Sequence, residues 1–176
     1  MQREQFDEVL IAIRRIIRAI DLQSRKLVQS HGLTGPQALV LKEVSRSRGL
    51  TAGELARRVS LSQATITDIV KRLEQRGLLL RERAQQDKRK TLVGVTAAGE
   101  KLLAQSPPLL QEQFAQRFAE LKDWEQSQLL YALQRIAGLM DAEALDASPI
   151  LASGSMLASA QAVEDVLVPQ QGPAEK

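Results

Sequence analysis

The sequence predicts a mainly α-helical chain carrying one small antiparallel β-hairpin. Three observations predict it. Apolar residues recur at three- and four-residue steps over most of residues 4–76; hydroxyl residues precede Glu or Gln by three positions where helices should begin; and the period breaks at residues 78–95, where two short aliphatic runs flank a polar tip.

The first helix follows from Phe6, Val9, Leu10, Ile13, Ile16, Ile17 and Ile20, with the period continuing less strictly to Leu27 and Val28. Running from Glu4 to Ser30, it would span about 40 Å, longer than the core of so small a domain requires, which suits a helix that packs against a partner. His31 and Gly32 then close it, His31 in a C-cap role and Gly32 in the left-handed conformation. Three capping boxes come next, Thr34 to Gln37, Thr51 to Glu54 and Ser60 to Gln63, with Pro36 in a first turn where its missing N–H costs nothing. They predict helices over 35–47, 52–58 and 61–76, with Gly49 and Gly77 as stops. The last two are separated by only a tight turn, which is helix-turn-helix spacing.

Residues 78–83 and 91–95 form the predicted hairpin, and its tip lies within RAQQDKRKTL. Thr96 caps a further helix that Pro107 and Pro108 must break. Leu110, Phe114, Phe118 and Leu121 resume a helical stripe, and Asp123 with Gln126 signals a last helix through Leu129, Leu133, Ile136 and Met140. Beyond residue 146 the composition shifts to Ala, Ser, Pro and Gln. A short helix over 156–168 and a disordered end are expected there.

Charge is modest in total and uneven in place. Lys and Arg number 24 against 21 Asp and Glu, a net of +3, yet between Arg57 and Lys90 ten basic residues face four acidic ones. That local excess of +6 suggests a face that meets a polyanion. On a wheel of about 100° per residue, Ile66, Ile69, Val70 and Leu73 fall on one side of the 61–76 helix. Ala64, Thr67, Asp68, Lys71 and Gln75 fall on the other, with Gln63, Thr65 and Arg72 at its edges. Short polar side chains of this kind can reach base edges in a major groove, and a basic hairpin placed directly after such a helix makes a winged helix-turn-helix. The expected contact set is Ser62, Gln63, Ala64, Thr65, Thr67, Asp68, Lys71 and Arg72 on the helix, and Arg83, Asp87, Lys88, Arg89 and Lys90 on the wing. Taken alone, the helix face is more often a solvated surface and the wing tip as readily a charged turn; it is their adjacency that argues for double-stranded DNA.

Other chemistries find little support. There is no cysteine and one histidine, so neither a thiol switch nor a transition-metal site is expected, and no phosphate-binding glycine loop appears. No enzyme and no cofactor are expected. No apolar run approaches the roughly 18 residues that span a bilayer, and MQREQFDEVL lacks a signal-peptide pattern, so a cytoplasmic protein without a membrane partner is expected.

Residues 34–99, with LSQATITDIVKRLEQRGLLLRE, DKRK and LVGVTAAGE, resemble the winged-helix core of MarR-type transcriptional regulators, including a wing signature of Asp and Arg at Asp87 and Arg89. The flanking helices are similar to that family's layout, extending the resemblance to about residues 5–142. The resemblance implies a transcriptional repressor: a homodimer joined by an N-terminal helix (1–33) and C-terminal helices (100–146) around the DNA-binding domain (34–99), with 147–176 as a tail. It further implies a wing arginine in each minor groove, a recognition helix in each major groove, and a pseudo-palindromic operator whose half-sites lie about 34 Å apart. Lys71 and Asp68 depart from the pattern. Lys71 stands where many members carry an acid that pairs with the wing, which leaves Asp87 to steady Arg89 locally. The stretch from Lys122 to Ala137, with LDASPIL after it, resembles the branch that represses ectoine and other compatible-solute genes. That branch would fit osmotic-stress control and an ionic effector, since phosphate contacts are salt-sensitive in themselves. A small-molecule effector is the family's other expectation. The alternative function is a winged-helix protein adaptor without specific DNA readout.

Overall fold

In a computed structural model, residues 2–47, 49–85, 87–145, 147 and 149–153 are described. The expected tail helix at 156–168 lies outside them. Seven α-helices and a two-stranded antiparallel sheet make up the described chain: α1 Gln2–His31, α2 Gly35–Arg46, α3 Ala52–Arg58, α4 Gln63–Gln75, β1 Leu79–Arg83, β2 Thr91–Val95, α5 Ala97–Gln105, α6 Leu110–Ala119 and α7 Asp123–Leu139. The described residues form two compact units, 2–107 with 150–153, and 108–149.

Capping chemistry places most helix starts. Thr51 and Glu54 form the full reciprocal box at α3: Thr51 Oγ1 accepts from the Glu54 N–H, and Glu54 accepts the Thr51 N–H at 2.9 Å. At α2 the bond made is the Gln37 half, its side-chain oxygen accepting from the Thr34 N–H at 3.1 Å. Thr96 Oγ1 accepts from the Gly99 N–H, opening α5. Two expected caps are displaced. Ser60 takes a left-handed φ of 54° in the turn between α3 and α4, and Ser62 caps α4 instead, its Oγ accepting from the Thr65 N–H at 3.1 Å. Asp123 is already inside α7, because Glu125 reaches back to the Lys122 N–H at 2.9 Å; Gln126 donates to the Phe118 and Leu121 carbonyls, closing the end of α6. Gly77, at φ 67°, ends α4 with the paired bonds of a left-handed stop, Gly77 N–H to Glu74 O and Leu78 N–H to Leu73 O.

The core of the first unit is the inner face of α4 laid on α2, α3 and the hairpin. Ile66, Ile69, Val70 and Leu73 are buried, as the wheel predicts, together with Val40, Leu41, Val44, Leu55, Leu79 and Val93. The hairpin pairs Leu79 with Val95 through to Arg83 with Thr91. Leu50 adds a single bridge to Val93, which short-range patterns did not indicate, and gives the sheet a third, one-residue edge. Helix α5 packs on α2, and Gly99 lets its first turn lie close to the base of the hairpin: a Cβ there would meet the Leu78 carbonyl and lie 2.8 Å from Val95 Cγ2. His31 does not use its side chain to cap its own helix. Its Nε2 lies 3.0 Å from the Gln105 carbonyl at the end of α5.

Pro107 and Pro108 follow the end of α5 and precede α6, as expected; in the second unit the Phe114 and Phe118 rings lie tilted with centroids 5.6 Å apart. Trp124 and Tyr131 are both more than 60% exposed, so neither belongs to a core within the chain. No helix among the described residues is long and apolar enough to cross a membrane.

Candidate nucleic-acid interface

Helix α4 presents Gln63, Ala64, Thr67, Asp68 and Lys71 as exposed residues, while Thr65 and Arg72 are half-buried at its margins. The sequence forces this division, because its four aliphatic residues share one side and only polar or small residues remain for the other. The hydroxyls differ in availability. Ser62 and Thr65 share a hydroxyl–hydroxyl bond of 2.8 Å at the helix start, and Ser62 Oγ also serves as the cap. Ser62 is therefore committed to holding the first turn. Thr67 donates its hydroxyl to the Gln63 carbonyl at 2.8 Å, which leaves its oxygen as an acceptor and its methyl outward.

The wing tip is shaped by three hydrogen bonds. Ala84 N–H donates to Lys90 O and Lys90 N–H to Asp87 O, both at 2.9 Å, and Asp87 Oδ1 accepts from the Arg89 N–H at 3.0 Å. The last is an Asx-type turn in which an acidic side chain folds the backbone that carries the basic ones. Asp87 thus braces Arg89 through its main chain, leaving the guanidinium uncommitted to it. Lys88, Arg89 and Lys90 are exposed, as is Arg83 at the end of β1. Arg81, lower on the same strand, pairs with Glu74 at 3.4 Å and steadies the hairpin against α4.

Lys90 also lies near α3. The Glu54 carboxyl is held below its ordinary range, first by the Thr51 N–H, then by the Thr51 hydroxyl, with Lys90 and Arg57 adding weaker attraction. Arg57 is exposed in the last turn of α3, the helix that packs against β2, whereas Arg58 is engaged by Glu43 at 2.9 Å and Ser47 at 2.7 Å. Arg57 was legible only as one count in a basic cluster; the packing of its helix against β2 is a tertiary fact. The arrangement is a polar helix face with a basic loop beside it. Among the described residues no group of His, Cys, Asp and Glu could hold a metal ion.

The MarR family model matches residues 33–91, the stretch that runs from the end of α1 to the start of β2. The transcriptional regulator HosA of Escherichia coli O157:H7 is 34% identical over 96 residues, covering 49% of this chain and 71% of HosA. The chain belongs to the MarR family. It is a DNA-binding transcriptional regulator with the winged-helix fold of that family. Among solved structures, the PcaV regulator of Streptomyces coelicolor in complex with its natural ligand is 30% identical with a TM-score of 0.50, covering 73% of this chain and 91% of PcaV. The complex of S. aureus MepR with DNA shares the fold at a TM-score of 0.54 and 20% identity, covering 74% of this chain and 96% of MepR.

Proposed function

We propose that this MarR-family protein is a homodimeric repressor that reads a pseudo-palindromic operator with α4 and the wing. The observation that carries the reading is the adjacency of the exposed α4 face to a wing tip whose three consecutive cations, Lys88, Arg89 and Lys90, are exposed around a backbone fixed by Asp87. Gln63, Ala64, Thr65, Thr67, Asp68 and Lys71 face the major groove, with Ser62 holding the first turn and Arg72 and Arg83 at the backbone edge. Arg89 enters the minor groove, and Lys88 and Lys90 meet phosphates.

Dimerisation is supported by apolar surface that one chain leaves uncovered. Phe6, Val9, Ile16 and Ile17 on α1 are exposed, as are Trp124, Leu130, Tyr131 and Leu133 on α7. Large apolar side chains left exposed at helical spacing mark a surface that a partner covers. For an effector, α1 also carries Arg14, Arg15 and Arg18 beside Ile11, Ala19 and Leu22, a shallow patch suited to a small anion with an apolar body. The structure of PcaV with its natural ligand lends this reading analogy. Osmotic control stands on the resemblance of residues 122–151 alone; equal effects of KCl and a non-ionic osmolyte on DNA binding would count against an ionic effector.

The deciding experiment selects duplexes from a random pool with the full chain and footprints the winner. Paired half-sites about 10 base pairs apart, bound with a steep loss of affinity as salt rises, are the expected result. Equal affinity for selected and random duplex at moderate salt would overturn the proposal and favour a protein adaptor.

A further inference from the structure

Within the first unit α1 is long and lightly held. Its 30 residues span about 45 Å, yet no residue from 3 to 23 is buried. Burial begins at Ser24, Leu27 and Val28. Beyond that short apolar patch, polar ties from three separate elements reach the end of the helix among the described residues. Arg76, at the C-terminal cap of α4, donates from Nη1 to the Gly32 carbonyl at 2.5 Å and from Nη2 to the His31 carbonyl at 3.3 Å. His31 Nε2 meets the Gln105 carbonyl of α5. Ser153 N–H donates to Ser24 Oγ at 2.9 Å, in a segment where buried Ile150 lies against Gly35.

Of these three, the Arg76 tie leads from the end of α1 to the recognition helix. We propose that Arg76 is a positioning residue: by holding the last carbonyls of α1 against the end of α4, it sets the angle between the two helices and so the half-site spacing that a dimer accepts. The inference rests on the dimeric DNA reader proposed above. Arginine suits the task because its rigid planar fork can engage two successive carbonyls, and its charge complements the negative end of a helix. Geometry supplies the amplification. From Ser24 to the start of α1 is about 33 Å, so a rotation of about 6° at the clamp moves the far end by about 3.4 Å, one base-pair step. A clamp that gives slightly should therefore blur the spacing by a whole base pair while leaving each half-site contact intact.

The test uses the full chain and duplexes selected by the wild type, rebuilt with their half-sites one and two base pairs closer or further apart. Wild type should bind sites one base pair out of register about tenfold more weakly, the cost of about one mismatched contact. Arg76→Ala should reduce that penalty below about threefold, with a dimer by sedimentation and an affinity for random duplex within about twofold of wild type. Arg76→Lys, which restores the charge and one donor, should recover part of the penalty. An Arg76→Ala dimer that keeps the wild-type spacing profile overturns this proposal and leaves the repressor reading standing. Failure of the wild type to select any paired half-site overturns both. Should the alanine variant not fold, Arg76→Lys decides: a softened profile supports the clamp, and a wild-type profile refutes it.

Discussion

At Asp87, charge and geometry predict opposite outcomes. On charge alone, replacing it with alanine removes an anion from a surface that approaches phosphates. Two unit charges about 8 Å apart in water interact by about 0.5 kcal/mol, and screening at about 0.15 M salt lowers this to about 0.2 kcal/mol. Over two wings the substitution should then tighten DNA binding about twofold. The hydrogen bonding argues the other way. Asp87 Oδ1 is the acceptor for the Arg89 N–H, one of the three bonds that shape the tip. Its loss removes about 1 kcal/mol of local order, and the freedom regained by Lys88 and Arg89 must be surrendered again on binding at about 1 kcal/mol per residue. Exposed bonds fall at the low end of such values, so a net loss of about 1 kcal/mol per wing, about 30-fold for a dimer, is expected. Asp87→Asn separates the two effects, since it deletes the charge and keeps the Oδ1 acceptor. By fluorescence anisotropy on the selected operator, Asp87→Ala should bind about 30-fold more weakly and Asp87→Asn as well as wild type or up to about twofold better. Alanine binding at least as tightly as wild type would refute the brace. Asparagine failing alongside alanine would show that the charge, not the acceptor, is what the tip needs.

Three further outcomes follow from the same geometry. Replacing Lys88 and Lys90 together by alanine removes four cations from a dimer, and the slope of log K against log salt should fall by about 3.6 if all four meet phosphates; an unchanged slope in a salt titration would remove both from the interface. Gly99→Ala sets a methyl group against the Leu78 carbonyl and Val95, so the urea midpoint should report a loss of about 1–3 kcal/mol, and an unchanged midpoint would mean that α5 can step back freely. Because the Glu54 carboxyl is held below its ordinary range, its contribution is present above that range and disappears as pH falls through the folded-state value. The thermal midpoint of wild type should accordingly exceed that of Glu54→Gln at neutral pH and converge with it in acid; a gap that persists in acid would mean that the charge is not the cause.

Much of this architecture was legible because it is governed by short-range chemistry. Thr51 with Glu54, Thr96 with Gly99, and Gly77 act within a few residues, so the starts of α3 and α5 and the end of α4 can be read from composition and spacing. The misplaced caps show the limit of that reading. Ser60 and Ser62 both carry a suitable hydroxyl, and the left-handed backbone at Ser60, needed to turn the chain, removes it from competition. Lys122 has no capping side chain, but Glu125 supplies the reciprocal half of the box without it. The Leu50 bridge, the Arg76 clamp and the return of Ile150 to Gly35 join residues 43 or more positions apart. No periodicity encodes such pairs, because their energy depends on where distant elements arrive rather than on what neighbours them. The candidate interface was legible as residue types on a wheel and a loop. The commitment of Ser62 to the cap, and of the Thr67 hydroxyl proton to the Gln63 carbonyl, was not.

Those commitments narrow the readers on α4 and give Asp68 a role that charge alone would deny it. With Ser62 and Thr65 bonded to each other and Thr67 limited to accepting, the free polar groups of the exposed face are Gln63, Asp68, Lys71 and, a turn further on, Gln75. Asp68 and Lys71 are three positions apart and opposite in sign, so the face contributes almost nothing to net attraction for a polyanion. On the proposed reading, that attraction comes from the wing cations Lys88, Arg89 and Lys90. A carboxylate in a groove is costly near phosphates and is repaid where it accepts from a cytosine N4 amine, so Asp68 should act mainly by penalising every base without a donor there. Asp68→Asn, which can donate as well as accept, should therefore broaden the selected sequences at one position per half-site and lower discrimination there by about tenfold, while leaving the salt slope within about one unit of wild type. Substitution of Lys88 and Lys90 should do the reverse, weakening all sequences alike. If Asp68→Asn instead raised affinity uniformly for selected and random duplex, the acid would be only an electrostatic tax on binding, and base discrimination would have to reside in Gln63, Thr67 and Lys71.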